Sequence, residues 1–151
     1  MVMRDSTEIK TRTRRDARHA LESALLRIAE RGRLAGINVS GYRELGVIEG
    51  LSHELAHVLD LGPDFEASIR EMGDVQANEH EAAALRVEVA ALAALGVRLS
   101  ARRLWATANW RDGGKIPSAR SATLLYDHEL DCVRRFVAMV RREMRIDEAT
   151  S

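Results

Sequence analysis

Cysteine, proline and aromatic residues are scarce in this chain. Cys132 is the only cysteine, so no disulfide can form within one copy and an extracellular disulfide scaffold is excluded. The two prolines, Pro63 and Pro117, fall between helical patterns rather than inside them. Aromatics are 4% of the residues while hydrophobic residues are 46%, so the core must be mostly Ala, Leu and Val. That composition suits close helix–helix packing better than sheet. Excess charge is missing too. The 23 basic and 23 acidic residues cancel, which argues against a dedicated nucleic-acid binder. No apolar run approaches the ~18 residues of a membrane span. The N-terminal MVMRDSTEIKTRTRR lacks the apolar segment of a secretory signal. The expectation is a cytoplasmic protein of one domain, long enough at 151 residues to bury a core without staples.

What is present is helical periodicity. Residues 1–13 are polar and aperiodic and read as a flexible basic arm ahead of a single domain over 14–151. Leu21, Leu25 and Ile28 lie on one face of a helix over 16–33. GINVSGY (36–42) reads as loop or one short strand. A second helix spans about 44–61 and stops at Gly62 and Pro63. Asp64 can cap a short helix over 65–72, and Asp74 or Asn78 can cap a longer one that ends before Gly96. Ser100 can cap a fifth helix to Trp110, RDGGKIP (111–117) is a turn, and a last helix runs from near Ser118 to about Ile146. The predicted fold is mainly α: about six helices with little or no β-sheet.

The chemistry concentrates in GLSHELAHVLDLG (50–62). His53 and His57 are four apart, one above the other on a helix, and project toward a common point. Two neutral imidazoles there can bind zinc. Glu54 lies about 100° around the helix, where a general base can take a proton from an attacking water. Val47, Ile48, Leu51, Leu55, Val58 and Leu59 make the helix apolar over much of its surface, so it should be buried. Buried histidines and a glutamate need partners, and a metal supplies them. Asp60 can accept a hydrogen bond from the far nitrogen of His57.

A catalytic zinc needs a third protein ligand. In the metzincin extension, the positions for Gly and the third His are occupied here by Asp60 and Pro63, which excludes that class. The following helix, ANEHEAAALRVEVAAL (77–92), offers Glu79, His80, Glu81 and Glu88. Its core stripe, Leu85, Val89 and Leu92, projects back to positions 78, 81 and 82, so Glu81 points inward at least as well as Glu79. From Gly50 to Leu95 the chain resembles the gluzincin metallopeptidases, and within them the compact ImmA/IrrE-like peptidases of bacteria and phages. The resemblance rests on HELAH followed by an alanine-rich helix carrying E-x-x-A at Glu79–Ala82. It implies a zincin-like domain and a Zn2+-dependent peptidase. His53, His57 and Glu79 would be the ligands and Glu54 the base, with Glu81 and then Glu88 as the next candidates for the third ligand. By analogy, the protein or peptide substrate would be a transcriptional regulator. The chain departs from the pattern where many gluzincins carry an acid one turn after the ligand Glu: that position is Ala83. It also lacks an evident sheet ahead of the HExxH helix.

In the last helix Leu125, Cys132, Phe136 and Met139 form an apolar stripe on which His128 falls. An inward His128, or Tyr126 from a neighbouring face, could stabilise an oxyanion. Trp105 and Trp110 read as core anchors, and RRFVAMVRREMR (134–145) as a solvated basic face beside a core stripe. Two rival readings remain. One is a catalytically inactive binding or regulatory module that keeps the helix, with His80 or Asp60 closing a structural site. The other is a metal-free helical protein that dimerises through its basic C-terminal helix.

Overall fold

A computed structural model describes residues 6–31, 44–100 and 125–150, with side chains described for 15–31, 45–100 and 125–146. Five helices appear among them: α1 (Ser6–Arg31), α2 (Glu44–Leu61), α3 (Phe65–Glu71), α4 (Asp74–Ala94) and α5 (Asp127–Thr150). There is no strand among the described residues, as the composition predicted. None of these helices is long and apolar enough to cross a membrane. The GINVSGY segment, the expected fifth helix with both tryptophans and the 111–117 turn lie outside the described residues.

α2 is the central element and packs against all four other helices. Val47, Ile48, Leu51, Leu55 and Ala56 are buried on it. α1 contributes the predicted stripe of Leu21, Leu25 and Ile28, and α5 contributes Cys132, Val133, Phe136 and Val140. Small residues on α4, Ala84 and Ala91, are buried at 3% and 0% exposure. They stand at helical spacing with Glu81 and Glu88, so one face of α4 alternates alanine with glutamate.

The helix ends follow known stops, though not every predicted cap forms. Gly62 has φ +90° and its N–H donates to the Val58 carbonyl at 2.8 Å, closing α2 with a left-handed residue. α4 closes with a Schellman motif. Gly96, at φ +79°, donates to Ala93 and Val97 donates to Leu92. Asp64 makes no side-chain cap bond to α3. α4 begins at Asp74 itself, behind Gly73, so Asp74 favours the helix dipole rather than capping and Asn78 is interior. The Ser100 hydroxyl donates to buried Glu49 at 3.1 Å.

Two boundaries differ from expectation. α1 starts at Ser6, so residues 6–13 of the expected flexible arm are helical. Its interior here has no Gly or Pro to stop it. α5 starts at Asp127, not near Ser118. Tyr126 stands at its N-cap and donates its backbone N–H to Glu129 Oε1 at 3.0 Å, the reciprocal half of a capping box.

Candidate metal centre

The last three turns of α2 and the first half of α4 bring His53, His57 and Glu81 together. One ligand atom from each lies within 4.8 Å of the other two, in the only such group of three or more His, Cys, Asp or Glu residues among those described. His57 is 1% exposed. Its Nε2 lies 2.8 Å from Glu81 Oε1, and His53 Nε2 lies 2.8 Å from Glu81 Oε2. One carboxylate thus spans both imidazoles. The rings meet edge to face, with centroids 4.8 Å apart.

A second carboxylate completes the orientation of His53. Glu88, fully buried, accepts from His53 Nδ1 at 3.0 Å. Glu88 is seven residues after Glu81, two turns on, and shares its face. His57 is held differently. Its ring stacks on buried Phe65 of α3, centroids 5.3 Å apart and planes within 2°, and its Nδ1 is buried with no hydrogen-bond partner. Glu54 stands beside the pair with Oε2 buried and likewise unpartnered.

The electrostatics reflect this crowding. Burial alone would lower the His53 pKa, but hydrogen bonds to Glu81 and Glu88, with their charges, raise it to about 9. Bonds to His53 and His57 hold the Glu81 carboxyl far below the usual range, against burial. Burial pushes Glu54 up, and the two histidines oppose that shift. Two imidazole nitrogens and a carboxylate oxygen are donors that zinc and other divalent metals accept, so His53, His57 and Glu81 could hold a metal ion.

The structure does not bring Glu79 to the histidines. It is exposed and lines a separate cavity. Two residues of helix are about 200° of rotation, so Glu79 and Glu81 cannot face the same partner. Ala84, Glu88 and Ala91 set the face toward α2, and Glu81 belongs to it. The inward projection of the Leu85 stripe carried this signal, whereas the E-x-x-A match pointed to Glu79.

His128 and Tyr126 are not at this centre either. Both are exposed, with rings stacked on each other at 6.2 Å. His128 matches the stripe near Cys132 but rotates away from Phe136 and Val140. Glu129 keeps that register and is the residue turned inward, at 1% exposure. Asp60 pairs with His80 at 2.8 Å rather than with His57. The predicted set therefore divides. His53, Glu54 and His57 come together with Glu81 and Glu88, while Glu79, His80, Tyr126 and His128 gather at the neighbouring cavity. Sequence reading missed the Phe65 stack and the Arg86–Glu129 ion pair, whose atoms lie 43 positions apart.

No protein-family model, curated protein or solved structure matches this chain.

Proposed function

We propose that this protein is a zinc-dependent hydrolase acting on peptide bonds. The observation that carries the reading is the convergence of His53, His57 and Glu81 beside a half-buried Glu54 whose inner oxygen has no partner. The three converging side chains would hold the ion. Bound zinc supplies Lewis acidity, lowering the pKa of water and polarising a carbonyl. Glu54 takes the proton of the attacking water and returns it to the leaving amine, and its raised affinity for protons suits that exchange. Glu88 fixes the His53 ring so that Nε2 faces Glu81. Phe65 fixes the His57 ring by packing. If the resemblance to ImmA/IrrE-like peptidases extends to substrate, the target is a transcriptional regulator.

The metal-free reading has one observation behind it. Glu81 satisfies both histidines at 2.8 Å, so the group is also a self-consistent hydrogen-bond network. One experiment separates the two. Metal content by mass spectrometry and hydrolysis of a mixed fluorogenic peptide pool are measured on wild type, Glu81→Gln and Glu54→Gln. The hydrolase reading expects one zinc per chain in wild type and Glu54→Gln, none in Glu81→Gln, and hydrolysis in wild type alone. Zinc without hydrolysis in wild type would favour the inactive module. No zinc after incubation with excess metal would overturn both metal readings.

A further inference from the structure

Beside the metal centre, on the same two helices, lies a cavity of about 490 Å³. Asp60, three residues after His57, lines it from α2. Glu79, His80 and Arg86 line it from α4, and Tyr126 and His128 close it from the start of α5. Its volume lies in the range of small-ligand sites. The side chains of Ala82 and Ala83 form part of the wall and leave the space open.

Among the described residues, the charges around the cavity are not balanced. Arg86 is the one permanent cation among the described residues that line it, and that charge is already matched: Nε donates to both oxygens of buried Glu129, at 3.1 and 2.7 Å. Asp60 accepts from His80 Nδ1 at 2.8 Å, which orients the carboxylate without cancelling its charge when His80 is neutral. Glu79 makes no ion pair among the described residues. Among the described residues, Glu79 and, when His80 is neutral, Asp60 therefore carry charge that no cation of the wall matches. The aromatic surface also suits a cation. Tyr126, 64% exposed, stacks with His128, and the Arg86 guanidinium already lies 5.6 Å from the Tyr126 ring centre.

We infer that this cavity takes the cationic side chain, arginine or lysine, of the peptide substrate. The inference rests on the hydrolase reading for the word substrate, but the cation preference stands on the cavity alone. Glu79 and Asp60 bind the charged head, and the Tyr126–His128 pair covers its flat or aliphatic part. Glu81 belongs to the metal centre while its neighbours His80 and Ala82 line the cavity, so a side chain here would enter next to the bond being cut.

The test is direct binding, followed by the His80 and His128 imidazole NMR signals of the full chain. N-acetyl-arginine amide and N-acetyl-lysine amide are titrated against N-acetyl-glutamate amide and N-acetyl-leucine amide. A saturable shift of both histidines with the cationic probes only is expected. It should weaken by at least about tenfold in Glu79→Gln, an exposed position at which the fold is not at risk, and further with Asp60→Asn added. Equal shifts with the glutamate probe, or none with the cationic probes, would overturn the inference. So would unchanged affinity in the double variant. Zinc content of the same samples reads the other proposal separately. Zinc bound with no cationic shift removes the cavity assignment alone. A cationic shift without zinc keeps the pocket and removes the hydrolase.

Discussion

Helix α4 carries buried charge on two faces, and the two are built differently. Toward α5, Glu129 is matched by Arg86. Toward α2, Glu81 and Glu88 are matched by His53 and His57. A guanidinium keeps its charge at any working pH, so the first pairing is permanent. An imidazole is charged only if it holds a proton, so the second pairing can exchange that proton for a metal. Another buried glutamate, Glu143, sits between α1 and α5 and follows the permanent pattern, held by Arg27 and Arg31. The lesson is that burial of an acid does not by itself mark a site here. The kind of cation facing it separates a permanent fastener from the site proposed to load a metal.

The comparison breaks most sharply at Arg86. Arg86→Met strands Glu129 at 1% exposure and should cost about 3–5 kcal/mol of stability by denaturant titration, with or without zinc. A loss below about 1 kcal/mol would mean that the Tyr126 N–H alone satisfies Glu129. At the α2 face the expected loss depends on metal. Zinc at 100 times its Kd should stabilise wild type by about 2.7 kcal/mol, and Glu81→Gln should show no such gain in thermal melts. Equal gains in both proteins would move the third ligand elsewhere.

Glu88→Gln sharpens the division within the metal face. It keeps a hydrogen-bond acceptor for His53 but removes the charge, and should weaken zinc roughly 10–100-fold in a competition titration with a chelator. Undiminished affinity would reduce Glu88 to packing. The smallest effect belongs to Glu143→Gln, at about 1–2 kcal/mol, because Arg27 and Arg31 are 29% and 58% exposed and can turn to water. Chelator should not change it. If it did, the α1–α5 seam and the metal face would be coupled.

Legibility from sequence followed the range of the interactions. The helices of the described regions were readable because periodicity is local: Leu21, Leu25 and Ile28 declare a face without reference to any other element. The ends at Gly62 and Gly96 were readable for the same reason. Asp64 does stand at the N-cap of α3 but makes no side-chain cap bond; Asp74 and Asn78 were misread as caps, since a suitable residue near a helix start does not decide which residue begins the helix. At the site, the His53–His57 spacing and the place of Glu54 are properties of one helix and came through intact.

The choice among Glu79, Glu81 and Glu88 was not local. It required knowing which face of α4 meets α2, and Ala84 and Ala91 settle that by allowing close approach there. Glu81 then spans both rings, Glu88 reaches behind His53, and Glu79 turns to the cavity. His128 misled because its match to Cys132 holds for one turn and fails over three. The sequence by itself therefore determined the helical class and the pair of histidines with their neighbouring glutamate, because each follows from spacing along a single helix. Only the tertiary structure decided which carboxylate joins them, which ring Phe65 stacks on, and where His80 and His128 face. Those depend on how one helix is rotated against another, and rotation is set by packing across the core.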